Sequence, residues 1–276
     1  MKKKYILINS IIFILLSSAF SGCISSDNVS ATEIKMFTLD SSIDINTYRF
    51  LMDMVISTDM GGSKIKMNYY ANGAVDIDEH KLMMEMRTST IDSVEMDLLY
   101  YILDETVFIK MDYFGSEQWM KMNFSDYNVS WDSYDQMSMQ LDLLDYGEVE
   151  RLNDEVYDNE DCYVLKIIPD FEKLYKILMN QQVLNNGMIQ DFALSDVIKD
   201  FSLKLWISKD NNLILKAYEY MSMEISLFGY TYSMTFEINI KFADYNEHVN
   251  IELPEEAQNA VSYLNYISGV SSSPPA

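Results

Sequence analysis

Apolar and polar side chains alternate along several long segments, and this period of two constrains the fold more than any other feature of the chain. Residues 48–56, 201–208 and 230–242 show it most clearly. Successive side chains of a strand point to opposite faces of a sheet. Each segment is therefore predicted to be a strand with one apolar face and one solvated face. In the longest segment the apolar positions are Tyr230, Tyr232, Met234, Phe236, Ile238, Ile240 and Phe242.

Turn-forming residues separate the predicted strands. Gly61-Gly62 ends the first strand, and Asn72-Gly73 is typical of a two-residue hairpin, because both of its positions must accept a positive φ. Loops this short join antiparallel neighbours, since a parallel crossover needs about a dozen residues or more. The remaining strands are predicted at 64–70, 74–77, 81–90, 97–103, 106–112, 118–123, 148–156, 161–168 and 213–223.

Apolar residues recur with a helical period after Pro169. Asp170 can cap a helix there, and the apolar positions fall at i, i+3, i+4 and i+7. We therefore predict a helix over 170–182 with one apolar stripe. That stripe consists of Phe171, Leu174, Tyr175 and Leu178.

A second stripe predicts a helix over 132–145, and two shorter helices are predicted at 195–200 and 254–260. A sheet with one apolar face must cover that face, and these helices are the available cover. The chain is therefore predicted to be mainly β (α+β): a single curved antiparallel sheet, or incomplete β-barrel, with helices covering the concave face.

The amino-terminal segment is typical of an exported lipoprotein. Three lysines at 2–4 precede a mostly apolar run over 5–20, which is shorter than the roughly 20 apolar residues that span a bilayer. Phe20-Ser21-Gly22-Cys23 then resembles the lipobox of prokaryotic lipoproteins, in which the signal peptidase cuts before the cysteine and the thiol carries lipid. The resemblance implies a signal peptide at 1–22 and a lipid anchor on Cys23.

Composition divides the rest of the chain and excludes several function classes. Small polar residues predict a flexible tether over 23–45 and a disordered tail over 263–276, leaving one folded domain at 46–262.

The formal net charge of −23 repels phosphate, so we predict no nucleic-acid partner and no polybasic membrane attachment. Two cysteines and two histidines offer neither a disulfide scaffold nor a zinc site. We predict no metal, no cofactor and no enzymatic activity.

Several short sequence motifs occur in a characteristic order along the chain. They begin with Tyr48 and Phe50 and end with the segment 253–257. Between them lie Asn72-Gly73 with Asp76, Trp119-Met120-Lys121, the strand 162–166 before a helix, the segment 206–210 and the segment 242–246. Over residues 46–262 this order resembles the LolA/LprG-like lipoprotein superfamily. That resemblance implies an incomplete barrel around an apolar cavity, and members that carry lipids or lipoproteins across an aqueous gap.

Two functions follow from these observations. The first is an extracytoplasmic lipoprotein, anchored to the outer face of the cell membrane, that binds a lipid or another apolar ligand in its cavity. The alternative is a cell-surface structural or interaction lipoprotein whose core is filled by its own side chains. The predicted cavity lining is Phe171, Leu174, Tyr175, Leu178, Met234, Phe236 and Ile238. Two sequons make Asn123 and Asn128 candidate glycosylation sites. The sequence leaves the ligand, the oligomeric state and the host open.

Overall fold

A computed structural model describes residues 29–90, 95–113, 116–126, 130–170, 172–174, 197–227 and 230–263. Within these residues, thirteen strands form a single sheet. The strands are β1 Thr47–Met60, β2 Ser63–Asp76, β3 Lys81–Thr90, β4 Glu95–Leu103, β5 Thr106–Tyr113, β6 Ser116–Asn123, β7 Glu148–Arg151, β8 Glu155–Tyr157, β9 Glu160–Ile168, β10 Ile198–Ser208, β11 Ile214–Leu227, β12 Tyr230–Ala243 and β13 Val261–Ser262.

The sheet is curved and open, which confirms the predicted fold class. Its strand order is β13-β6-β5-β4-β3-β2-β1-β12-β11-β10-β9-β7, with β8 also paired to β9. Neighbouring strands are antiparallel, except that the two-residue β13 runs parallel to β6. β1 and β12 lie at the centre of the order and pair over most of their lengths, so the first and last long strands of the chain hold the sheet together.

Two α-helices accompany the sheet: α1, Ala31–Ser42, and α2, Gln136–Tyr146. α2 confirms the helix predicted over 132–145, and Asp135 is its N-cap. Short 3-10 helices are found at Phe124–Asp126, Trp131–Ser133 and Glu255–Asn259. The last of these corresponds to the helix predicted over 254–260.

The helix α1 lies where the sequence predicted a flexible tether, so that prediction is wrong for residues 31–42. Ser30 and Glu33 form a capping box in which each side chain accepts a hydrogen bond from the other residue's backbone N–H. Ile34 and Thr38 are fully buried. Because two of the three buried residues of α1 are polar, its apolar stripe is too weak to stand out in the sequence.

The main core lies between the concave face of the sheet and α2. We call concave the face that carries Tyr48 and Phe50 of β1 and that α2 covers. Met137 and Leu144 of α2 belong to the same buried cluster as these two aromatic residues. A smaller cluster, Cys162, Val164 and Trp206, covers part of the opposite face.

The Asn72-Gly73 pair does not form the predicted hairpin. It lies inside β2, where Asn72 pairs with Leu51 and Gly73 pairs with Phe50. The glycine serves packing instead: a Cβ at position 73 would lie 2.5 Å from the ring of Phe50 and 3.0 Å from the carbonyl oxygen of Met83. The predicted turn at Gly61-Gly62 is present, with both glycines at positive φ.

Two other local predictions differ from the structure. The helix predicted over 195–200 is wrong from residue 198 onward, because Ile198 and Asp200 pair with β11 and begin strand β10. The strand predicted over 148–156 is two strands, β7 and β8, which both pair with β9.

Of the helix predicted over 170–182, the structure describes residues 170 and 172–174, and 172–174 are helical. Asp170 caps this turn as expected, because its side chain accepts hydrogen bonds from the backbone N–H groups of Glu172 and Lys173. Leu174 is buried in the main core.

Candidate functional site

The concave face of the sheet is apolar along each of its long strands. Strand register places alternate residues of every strand on this face, and most of them are aliphatic, aromatic or methionine side chains. Methionine is flexible and polarisable, so it adapts to irregular apolar shapes. The methionines at these positions are Met52, Met54, Met67, Met84, Met86, Met96, Met111, Met120, Met122, Met221, Met223 and Met234.

Along the central strands β1 and β12, the burial of the concave side chains decreases with distance from α2. On β1, Tyr48 and Phe50 are buried beneath α2, whereas the residues further along the strand are half-buried. On β12, Phe242 and Ile240 are buried, Ile238, Phe236 and Met234 are half-buried, and the first two concave residues, Tyr232 and Tyr230, are exposed. We call this less covered surface the half-buried strip. It comprises Met52, Met54, Met84, Met86, Met234, Phe236 and Ile238.

The strip contains three of the residues that the sequence predicted to line a cavity. Met234, Phe236 and Ile238 pack against the main core cluster, of which Leu174 is a buried member. The structure therefore brings strand β12 and the start of the predicted helix to one apolar cluster. Phe171, Tyr175 and Leu178 lie outside the described residues, so the shared cavity stays a prediction.

A carboxylate interrupts the apolar face on β11. Glu219 takes a concave position, directly opposite Leu203 of β10 and Ile238 of β12. Its neighbours on the same face of β11 are Ala217 and Met221, which are both buried. Glu219 was not among the site residues predicted from the sequence. The available signal was an acid at the apolar phase of an alternating strand.

Gln140 of α2 is the hydrogen-bond partner of Glu219. Its Nε2 lies 2.5 Å from Oε1 of Glu219 and donates to it. The Gln140 side chain is fully buried, and its Oε1 has no hydrogen-bond partner among the described residues. A buried polar atom without a partner costs free energy, so such an atom in a folded protein requires an explanation.

Burial raises the pKa of Glu219 above its ordinary value of 4.5, and the hydrogen bond from Gln140 opposes that rise only in part. No cation of the described residues offsets this burial. Among the paired concave positions of the described strands, Arg151 is the only Lys or Arg. Arg151 is already held by both carboxylate oxygens of Asp154, at 2.9 Å each. Glu219 is therefore an acceptor in an apolar and otherwise uncompensated environment.

The other sequence candidates do not join this site. Asn123 ends β6 and is exposed, and its side chain accepts a hydrogen bond from Thr106, which leaves its glycosylation a prediction. Asn128 and Cys23 lie outside the described residues. Cys162 is a buried thiol whose pKa is raised by its burial. In the described ranges, no group of three or more His, Cys, Asp or Glu side chains has a geometry suited to a metal.

None of the helices in the described part of the chain is both long and apolar enough to cross a bilayer. The model of a "Family of unknown function (DUF6612)" matches residues 30–262. No curated protein matches the sequence.

Several solved structures are similar to this chain in fold. The lipoprotein LppX of Mycobacterium tuberculosis is 15% identical, with 79% of this chain and 96% of that chain covered and a TM-score of 0.42. LprF of Mycobacterium bovis is 6% identical, with 81% and 96% covered and a TM-score of 0.49. The LolA superfamily protein NE2245 of Nitrosomonas europaea is 12% identical, with 83% and 96% covered and a TM-score of 0.23. The similarity to each of these structures concerns the fold alone.

Proposed function

Because the chain belongs to DUF6612, a family of unknown function, we propose its function from its own geometry: it is a membrane-anchored extracytoplasmic lipoprotein that binds a lipid or another apolar ligand. The half-buried strip carries this proposal. It is a set of half-buried methionine, phenylalanine and isoleucine side chains on the concave face of an open sheet. Pockets that bind apolar ligands are concave and lined mainly by such side chains.

The strip suits a flexible ligand better than a rigid one. Methionine side chains can rearrange around acyl chains of different length at little cost. Towards α2 the same face is closed by Tyr48, Phe50 and Phe242, so a chain lying on the strip meets a packed wall at one end. The proposal is one of binding or carriage and includes no catalytic step.

A tryptophan on the strip tests this proposal. Ile238→Trp adds bulk to the concave face, whereas Glu237→Trp adds the same bulk to the exposed side of the same strand. Binding is read with N-phenyl-1-naphthylamine, a neutral apolar probe that fluoresces in apolar surroundings. We expect the wild-type protein and Glu237→Trp to bind the probe, and Ile238→Trp to lose at least about tenfold in affinity, because a pocket on the strip would be filled.

Thermal melting of both variants shows whether the fold survives. If the wild-type protein does not bind the probe or an acyl chain, the proposal fails. The filled-core alternative, a structural or interaction lipoprotein at the cell surface, is then favoured.

Anchoring is tested separately at Cys23. We propose from the lipobox resemblance that this thiol carries the lipid. The formal net charge of −23 gives the chain no electrostatic attraction to anionic membranes. We therefore expect Cys23→Ser to move the protein from the membrane fraction to the soluble extracytoplasmic fraction, or to stall its processing. Cys162→Ser removes the only other thiol and is the matched control, expected to leave fractionation unchanged. Unchanged processing and membrane fractionation of Cys23→Ser would contradict the anchor.

A further inference from the structure

We propose that Glu219 and Gln140 form a polar head site within the apolar face, which selects amphiphiles whose polar end donates hydrogen bonds, as an alcohol or an alkylammonium does. This inference rests on the proposed function and specifies its ligand class. The ligand's chain would lie on the half-buried strip, and its polar end would meet the Glu219 carboxyl group.

The unpartnered amide of Gln140 is the first reason. One side of this buried amide donates to Glu219, and the other side has no partner among the described residues. Turning the amide over exchanges its two sides but still leaves one of them unsatisfied. A ligand donor that reaches this pair can donate the missing hydrogen bond to the amide oxygen of Gln140.

The position of Glu219 is the second reason. Gln140 is fully buried, whereas Glu219 is half-buried as a whole residue. Ile238, a residue of the half-buried strip, is directly opposite Glu219 on the neighbouring strand. Side chains of opposite residues in an antiparallel pair lie about 5 Å apart. An apolar chain on the strip is therefore placed to bring its polar end to Glu219.

The charge pattern is the third reason, and it decides the chemical class. A carboxylate or phosphate head would face Glu219, and the paired concave positions of the described strands offer it no free cation. Arg151 is held by Asp154, and Lys35 of α1 donates to the carbonyl oxygens of Asp145 and Gly147. A head that donates hydrogen bonds instead pairs with an acceptor in an apolar environment, where charge-assisted hydrogen bonds are strongest.

Four twelve-carbon amphiphiles with different heads test the selection. Dodecylammonium and 1-dodecanol donate hydrogen bonds, methyl dodecanoate only accepts them, and dodecanoate is an anion. Each competes with N-phenyl-1-naphthylamine for the wild-type protein at pH 7. We expect dodecylammonium to bind about 10-fold to 100-fold more tightly than methyl dodecanoate, and 1-dodecanol several-fold more tightly, with dodecanoate the weakest.

Four variants assign that ranking to the site. Glu219→Leu should remove both preferences. Glu219→Gln keeps an acceptor without its charge, so it should keep the preference for the alcohol and lose most of that for the ammonium. Glu237→Leu removes an acid from the exposed side of β12, and its ranking should equal that of the wild-type protein, which controls for attraction to the acidic surface. Gln140→Leu is a second route to the site and should also weaken the preference for the alcohol.

The outcomes separate this inference from the proposed function. If all four amphiphiles displace the probe equally, or if Glu219→Leu keeps the wild-type ranking, the head site is wrong while apolar binding stands. Tightest binding of dodecanoate would also overturn the head site. If neither the probe nor any amphiphile binds, both proposals fail.

Discussion

Replacing Asp135 by alanine is expected to destabilise the fold by about 3 kcal/mol, because one carboxylate oxygen holds both a helix and a buried tyrosine. Asp135 Oδ1 accepts hydrogen bonds from the backbone N–H groups of Met137 and Ser138, at 3.1 Å each, and so caps α2. The same oxygen accepts from the Tyr48 hydroxyl at 2.7 Å. Losing an N-cap costs about 0.5–2 kcal/mol, and leaving a buried donor unpaired costs about 1–3 kcal/mol.

The arrangement couples α2 to the centre of the sheet. Tyr48 is fully buried on β1, and its hydroxyl also accepts a hydrogen bond from the N–H of Met137. Burial raises the pKa of Asp135, while the hydrogen bonds from Tyr48, Ser138 and Met137 act in the opposite direction. These bonds therefore favour the ionised carboxylate within an environment that disfavours it.

Chemical denaturation of three variants tests this prediction. Asp135→Asn keeps a cap acceptor and the shape of the side chain, so it should lose about 1 kcal/mol or less. Tyr48→Phe alone removes the hydrogen bond from the hydroxyl to Asp135 and the one from Met137 to the hydroxyl, but leaves the Asp135 cap in place, so it should lose less than Asp135→Ala. A loss below about 1 kcal/mol for Asp135→Ala, or equal losses for Ala and Asn, would show that this carboxylate does not hold α2 in place.

Replacing Gly73 by valine is expected to cost about 3 kcal/mol. The ring of Phe50 lies over the position that a Cβ at residue 73 would occupy, at 2.5 Å, and the ring is buried. The carbonyl oxygen of Met83 closes the other side at 3.0 Å, and as backbone of a paired strand it cannot move aside easily. Extra atoms in a close-packed core typically cost about 1–3 kcal/mol, and valine branches at the atom that collides.

Two further variants separate this packing from a turn. Phe50→Leu combined with Gly73→Ala frees the space above the new methyl group, so the double variant should lose less than the sum of its single changes. Asn72→Ala alters the exposed neighbour of Gly73 and should change stability by about 0.5 kcal/mol or less, as expected for a surface position within a strand. A large loss for Asn72→Ala with a small one for Gly73→Val would favour the turn that Asn72-Gly73 predicted.

The main strands could be predicted because side-chain alternation is a local property. The segment 230–242 alternates throughout, and it is almost the whole of β12, Tyr230–Ala243. The segment 48–56 lies within β1 for the same reason. The predicted turn at Gly61-Gly62 is also local, since positive φ is a property of single residues.

The sequence by itself therefore determined an antiparallel sheet with one apolar face, because the alternation that buries one side of a strand is written in consecutive residues. Tertiary structure decided what that face became. Pairing with β1 and β3 on both sides kept Asn72-Gly73 extended, against its turn propensity, and placed Gly73 beneath Phe50. It also brought Gln140 to Glu219 across 79 residues of chain. Neither contact has a local signature, since each depends on which strands and helices become neighbours when the sheet curves and α2 closes over it.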